Sequence, residues 1–265
     1  MIDSDQILSL ARTAAVMAGK AVTEQWEQSR QEVRYKGKSD AVSTADLRSK
    51  EIISAYIRAE FPSQRILSEE DVESHAFDYS GPLWIIDPID GTANYVRGHP
   101  YFGVSIAFAV DGVVQVGCVH APALQETFTA IRDRGAFLNG EPIRPSSTDS
   151  LARAVVSTGF PHEKGDIAPL LQRIKVLLAS CQDIRRSSSP VLDISYVASG
   201  RLDAHTETLF PWDIAAAGLI ATEAGAIRSN LVPVPDHIPA DLWGEEVVFA
   251  SSGIHGALVA HLLNS

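Results

Sequence analysis

Trp84-Ile85-Ile86-Asp87-Pro88-Ile89-Asp90-Gly91-Thr92 carries an apolar run directly into two carboxylates three positions apart. Leu83 to Ile86 is continuously apolar rather than alternating, which suits a strand buried on both faces. Such a strand delivers Asp87 and Asp90 at its C-terminal end, where loops project reactive groups. Pro88 fixes φ and stiffens the turn. Gly91 permits a backbone that other residues resist, and its N–H can approach a ligand closely. Thr92 opens a short helix whose free N–H groups attract phosphate. Two rigid carboxylates here suit a hard cation with oxygen ligands, and Mg²⁺ also accepts phosphate oxygens. The plainer reading is an Asp-rich turn in which Asp87 caps and Asp90-Gly91 reverses the chain.

Outward from this strand, the pattern predicts a mixed α/β fold. Upstream, residues 3–29 have helical spacing (Ile7, Leu8, Leu10, Ala11, Ala14, Ala15, Ala18), with Asp3 or Ser4 as cap. Thr44 to Glu60 fits a second helix, stopped by Phe61-Pro62. Arg65 to Ser68 is a short strand. Downstream, Val104–Val110, Val113–His120 and Glu126–Ile131 read as successive strands, the first two joined by an Asp111-Gly112 turn. Arg134 to Gly140 is a turn-rich hairpin. After Pro145 strands and helices alternate: strand 154–157, helices 166–180 and 191–198, strand 202–205, helix 212–224, strand 247–250, helix 254–263. The chain is therefore read as one unit over residues 1–265. Its first part, to about 150, is rich in antiparallel strands, and residues 151–265 alternate.

Composition narrows the function. Apolar residues are 45% and charged residues 21% of 265, which rules out wholesale disorder. The formal charge of −11 argues against a general nucleic-acid or anionic-membrane binder, since both want clustered Lys and Arg. An acidic chain can still take an anionic ligand where a bound cation reverses the local charge. No run of about 18 apolar residues predicts a membrane span, and no secretory signal is read at the start. Cys118 and Cys181 form no CxxC or zinc spacing; a disulfide between them stays open, with a reducing compartment favoured.

Three further acidic segments are ordinary when taken singly. Glu69-Glu70-Asp71 reads as a solvated charge run. Asp213, opening the apolar Trp212–Gly218 stretch, reads as a helix N-cap. Asp40, Ser43, Thr44 and Asp46 read as the start of the second helix. Together they carry more. Glu69-Glu70, then Asp87-Pro88-Ile89-Asp90-Gly91-Thr92, then Trp212-Asp213 resembles the ordered signatures of the inositol monophosphatase family of Mg²⁺-dependent, lithium-sensitive phosphatases. The Asp40–Asp46 segment, Ser105-Ile106 and Arg201-Leu202-Asp203-Ala204 extend the resemblance over nearly the whole chain.

The resemblance implies a layered αβαβα sandwich of the inositol monophosphatase/fructose-1,6-bisphosphatase type. It implies two to three Mg²⁺ ions per site. Glu69, Asp87 and the Ile89 carbonyl would hold the first. Asp87, Asp90 and Asp213 would hold the second, and a weaker third would lean on Glu69. Thr92 and Asp46 would orient and deprotonate the attacking water, while Gly91 and Thr92 would offer N–H groups to phosphate. The substrate would be a small phosphate monoester, inositol 1-phosphate by family default. The protein would be a cytoplasmic homodimer that binds neither nucleic acid nor membrane.

The departures lie on the alcohol side. Ser188-Ser189-Pro190-Val191 stands where the family has Gly-Ser-Ala-Ala or Gly-Thr-Ala-Ala, so Ser189 is a substrate-side candidate and Pro190 removes a donor. Glu207 stands for the Glu that contacts sugar or inositol hydroxyls, in a loop one residue short before Asp213. Histidinol-phosphate, fructose-1,6-bisphosphate and 3′-nucleotide hydrolysis are rival activities, although Ala93-Asn94-Tyr95 differs from the Lys-Glu-Phe of the nucleotide branch. A non-catalytic regulatory binder on the same scaffold is the rival from another class; every expected ligand is present, which argues against it. Haloacid-dehalogenase phosphatases space their aspartates two apart. Lys36-Gly37-Lys38-Ser39 matches a P-loop tail, but Glu32 replaces the required Gly. Gly103-Val104-Ser105-Ile106-Ala107 lacks the final Gly of a nucleophile elbow.

Overall fold

A computed structural model of the chain describes residues 3–28, 44–71, 77–160, 165 and 167–264. The Lys36–Ser39 motif, Asp40 and Ser43 lie outside the described residues. In order, the elements are α1 (Ser4–Gln28), α2 (Thr44–Glu60), β1 (Arg65–Ser68), β2 (Pro82–Asp90), α3 (Thr92–Arg97), β3 (Gly103–Val110) and β4 (Val113–Ala121). Then follow β5 (Glu126–Ile131), β6 (Ala136–Leu138), β7 (Glu141–Pro142), β8 (Val155–Thr158), α4 (Ala168–Ser180), β9 (Asp183–Arg185) and α5 (Pro190–Ala198). The chain continues with β10 (Ala204–Leu209), α6 (Pro211–Ala224), β11 (Ile227–Asn230), β12 (Gly244–Ala250) and α7 (His255–Leu263).

The strands form two sheets, ordered β1-β2-β3-β4-β5-β6-β7 and β11-β12-β10-β8-β9. In the first, only the β1–β2 pair is parallel. In the second, β10–β8 and β8–β9 are parallel while β12 runs antiparallel to both neighbours. Asp111 and Gly112, both at positive φ, make the β3–β4 turn. At the start of α1, Asp3 is the cap: its Oδ1 accepts from Asp5 N at 3.0 Å.

Side-chain alternation along the strands explains the layering. On β2, Trp84 and Ile86 pack with Ile7, Ala11, Ala14, Ile53 and Ile57 of α1 and α2. Leu83 and Ile85 face the other way, into a core built with α5 and α6. That core also takes Val247 and Phe249 of β12, whereas Val248 and Ala250 pack with Leu177 of α4 and Leu258 of α7. The order of layers is α1/α2, first sheet, α5/α6, second sheet, α4/α7. This is the expected αβαβα sandwich. The two middle helices are mostly apolar and buried because they are covered on both sides, with Asp193 and Asp213 as buried exceptions.

Three expectations change. The strand predicted at 202–205 runs from Ala204 to Leu209, so Glu207 lies on a strand and not in a loop. The pairing with β12 has a register break between Glu207 and Leu209. Strands β9 and β11 were not expected: both are short and none of their residues is buried, so they carry no apolar period. The two cysteines are free thiols, Cys118 buried and Cys181 half-buried. No described helix is long and apolar enough to cross a membrane.

Candidate active site

Register brings the acidic residues together. Ser68 of β1 pairs with Ile86 of β2 in parallel, so the next residues, Glu69 and Asp87, emerge at the same sheet edge. Asp87 is in turn the register partner of Ser105 on β3. Ser105 Oγ donates to the Trp212 carbonyl at 3.3 Å, which ties the first turn of α6, and with it Asp213, to the same point. One carboxylate oxygen from each of Asp87, Asp90 and Asp213 lies within 4.8 Å of the others, and all three residues are buried.

Each carboxylate is held from behind. Asp87 Oδ1 accepts from Ile89 N at 3.0 Å, the local turn contact of the plainer reading. Asp90 Oδ2 accepts from Ser189 Oγ and, at 3.2 Å, from Val191 N at the start of α5. Asp213 Oδ2 accepts from Phe210 N at 2.8 Å. The capping expectation for Asp213 is thereby refined: it sits at the third helical position and reaches back to the cap residue's N–H. Ser49 Oγ donates to the Pro88 carbonyl at 2.8 Å and pins the turn to α2.

Electrostatically the cluster is under tension. Burial pushes the Asp87 carboxyl well above the usual range, and Glu69, Asp90, Asp213 and Asp46 push it further. Burial and then Asp213 raise Asp90, against the Ser189 and Val191 donors. Asp213 is pushed up to about 7 by burial, against the Phe210 N–H. No Lys or Arg among the described residues forms an ion pair with Asp87, Asp90 or Asp213. An all-oxygen, buried, uncompensated donor set is what a hard divalent cation requires.

The other predicted residues surround this cluster. Asp46 is buried in the first turn of α2, near enough to raise Asp87. Glu69 is solvent-exposed at the head of a 3-10 turn, with its charge acting on Asp87 and Asp90. Thr92 Oγ1 donates to the Ile89 carbonyl at 2.9 Å. Gly91 has φ of 88°, and a Cβ there would stand 3.1 Å from the carbonyl oxygens of both Tyr101 and Ser188. Only glycine fits that turn without strain. Ser189 is fully buried with its hydroxyl committed to Asp90. Glu207, largely buried, lies within the field of Asp213.

The Ser188–Val191 departure is absorbed by the backbone. Ser188 adopts φ of 65°, the left-handed conformation natural to the glycine it replaces. Pro190 is the first residue of α5, where no N–H is needed, and Val191 supplies the donor to Asp90. Ser188→Gly is expected to stabilise the fold by about 0.5–1 kcal/mol, strain relief outweighing added chain entropy. Urea unfolding tests this; a lower midpoint would show that the Ser188 side chain contributes more than its backbone costs.

Sequence reasoning missed Tyr101, Asp193 and His205. Tyr101 OH donates to Asp193 Oδ1 at 2.8 Å, and His205 lies between Asp193 and Glu207. A strand drawn through to Glu207 would have put His205 and Glu207 on one face, two residues apart.

Comparison with known proteins identifies the family and the fold. The family model described as "Inositol monophosphatase family" matches residues 3–264. An inositol monophosphatase of Dictyostelium discoideum is 36% identical over 231 residues, 85% of each chain. A Vibrio cholerae protein named Nus factor SuhB is 36% identical over 259 residues, 97% of this chain and 95% of that one. Among solved structures, the Thermotoga maritima IMPase superposes with a TM-score of 0.84 at 32% identity, covering 98% of this chain and 97% of that one.

Proposed function

The chain belongs to the inositol monophosphatase family, a family of phosphomonoesterases, and from that premise we propose that it hydrolyses a small polyol phosphate, with inositol 1-phosphate the first choice. The observation that carries the reading is the buried trio Asp87, Asp90 and Asp213, to which no cationic side chain among the described residues is paired. Glu69, Asp87, Asp90, Asp213 and the Ile89 carbonyl would hold two to three Mg²⁺ ions. Bound there, the ions would supply Lewis-acid charge neutralisation for the phosphate and lower the pKa of water.

The chain's own residues do the rest. Thr92 and Asp46 orient the attacking water and take its proton. Backbone N–H groups of Gly91 and Thr92 hold phosphate oxygens. The water oxygen bonds to phosphorus as the bond to the alcohol oxygen breaks, giving inorganic phosphate and the free alcohol. Ser188 to Val191 shape the alcohol side, and Glu207 meets the alcohol hydroxyls there. A cytoplasmic homodimer belongs to the same reading.

Relatives named Nus factor SuhB favour a second reading, a regulatory binding protein on the same scaffold. One experiment separates the two. Phosphate release is measured from inositol 1-phosphate, histidinol phosphate, fructose 1,6-bisphosphate and a 3′-phosphorylated nucleotide, each with Mg²⁺ and with chelator. The expected result is Mg²⁺-dependent turnover, highest on inositol 1-phosphate. Folded protein that turns over none of them overturns the phosphatase reading in favour of the regulatory one. A clear preference for another ester replaces only the substrate.

A further inference from the structure

Beside the acidic trio is a second buried group of titratable side chains, of which the reaction uses Glu207 and leaves His205 without a role. His205 is fully buried on β10, two residues before Glu207. Ala204 packs with the α4/α7 layer and Leu209 with the inter-sheet core, so His205 and Glu207 face the inter-sheet side with Leu209. His205 Nδ1 is 2.9 Å from Ser157 Oγ, its register neighbour on β8. Its Nε2 is buried without a hydrogen-bond partner. A carboxylate oxygen stands close to that nitrogen: Glu207 Oε2, at 3.5 Å.

The shorter Ser157 Oγ contact, 2.9 Å to Nδ1 against 3.4 Å to the Ala204 carbonyl, favours Nδ1 as the acceptor. With Nδ1 accepting, the ring proton sits on Nε2, facing Glu207. Burial pushes His205 down to about 3, so the ring is neutral and the carboxyls beside it make no ion pair. On the far side, Glu207 packs directly over Gly159. A Cβ on Gly159 would fall 1.7 Å from Glu207 Oε1, so the carboxyl occupies the space that a side chain there would fill.

We propose that His205 is a positioning residue for Glu207: its Nε2–H, 3.5 Å from Glu207 Oε2 and with no acceptor of its own, draws the Glu207 carboxyl over Gly159 by dipole attraction and so selects phosphate esters whose alcohol carries neighbouring hydroxyls. The proposal rests on Glu207 meeting the alcohol, as read above. A structural role alone would lower all activities together. A positioning role acts on hydroxyl-bearing substrates and spares esters that have nothing for Glu207 to contact.

Three substitutions divide the imidazole's functions. Gln at 205 carries an amide nitrogen to where Nε2 sits, Asn reaches only the Nδ1 position, and Phe keeps the ring shape with neither. With inositol 1-phosphate, His205→Phe and His205→Asn are expected to raise KM by up to about tenfold, the scale of one lost polar contact. His205→Gln should stay within about twofold of the parent, since it keeps that donor. With phenyl phosphate all three should match the parent. Gly159→Ala should reproduce the His205→Phe pattern. Equal losses on both esters in all variants, Gln included, would overturn the proposal in favour of packing. So would unchanged KM for inositol 1-phosphate in His205→Phe.

A measurement independent of turnover accompanies these. In ¹⁵N-histidine spectra, His205 should be the Nε2–H tautomer, and Glu207→Gln should move its Nε2 resonance and leave Nδ1 in place. An Nδ1–H tautomer, or an unmoved Nε2, breaks the link. If the parent hydrolyses neither ester, the phosphatase reading falls by itself, and the spectra alone decide whether His205 holds Glu207.

Discussion

Asn at position 87 is expected to leave the chelator-treated protein more stable than the parent while removing hydrolysis. The carboxamide keeps an oxygen for the Ile89 N–H, now 3.0 Å from Asp87 Oδ1, so the turn survives. It removes a buried carboxyl whose charged form is opposed by burial and by Glu69, Asp90, Asp213 and Asp46. In the absence of bound metal no cationic side chain among the described residues is paired with the trio to balance that penalty. The thermal midpoint should rise, by roughly 2–4 °C for each kcal/mol relieved. Mg²⁺ should raise the midpoint of the parent and leave the variant nearly unchanged, because ligand binding stabilises only the state that binds. Turnover should drop by a factor on the order of 10³ or more, beyond the loss of a single oriented donor. A calorimetric midpoint equal to or below the parent's in chelator would mean that the trio is not under repulsion. Residual activity near the parent's would remove Asp87 from the site.

With chelator present, the parent should also lose stability as pH rises from about 6.5 to 8, with Glu207 and Asp193 the main non-ligand contributors. Burial pushes Glu207 from 4.5 up to about 8 and Asp193 from 3.8 up to about 7. Over this window the unfolded chain has already released these protons, and the folded protein still holds them. The folded state binds more protons, so unfolding free energy falls with rising pH. His205 acts in the opposite sense: its folded value of about 3 lies below 6.5, so its contribution is lost as pH falls through 6.5 toward acid. In the chosen window it adds only a small opposing slope at the lower end, which dies away toward pH 8. The two carboxyls together account for a fall on the order of 2 kcal/mol, at about 1.4 kcal/mol for each group and pH unit. Asp87, Asp90 and Asp213 are raised as well and add in the same direction. Glu207→Gln should flatten the slope without reversing it. Urea midpoints at several pH values check both statements; a midpoint that climbs with pH, or a slope indifferent to Glu207→Gln, sinks the argument.

The site is legible in the sequence to different depths. Asp87 and Asp90 can be read locally: the strand, the proline and the glycine that aim them are neighbours in the chain. Asp213 is locally only a helix-start residue, and its reach to the Phe210 N–H satisfies that ordinary role too. What makes it part of the site is the Ser105–Trp212 contact, across 107 residues. Glu69 is likewise a charge run until the Ser68–Ile86 pairing sets it beside Asp87. Ser188 shows the reverse case: its sequence departs from the glycine pattern, yet its backbone takes the glycine conformation.

By itself the sequence determined the apolar periods: the doubly buried β2, the amphipathic α1, the strongly apolar α6 and the Asp-Pro-Ile-Asp-Gly-Thr turn. These follow from residue shape and hydrophobicity over a few neighbours, which is the range of helix and strand periodicity. Only the tertiary structure decided which carboxylates share a pocket and that β10 extends to Glu207. It alone decided that Ser189 serves Asp90 and that His205 lies between Asp193 and Glu207. Those outcomes depend on strand register and on the stacking of one sheet over another, set by the summed burial of many distant side chains and written in no local period.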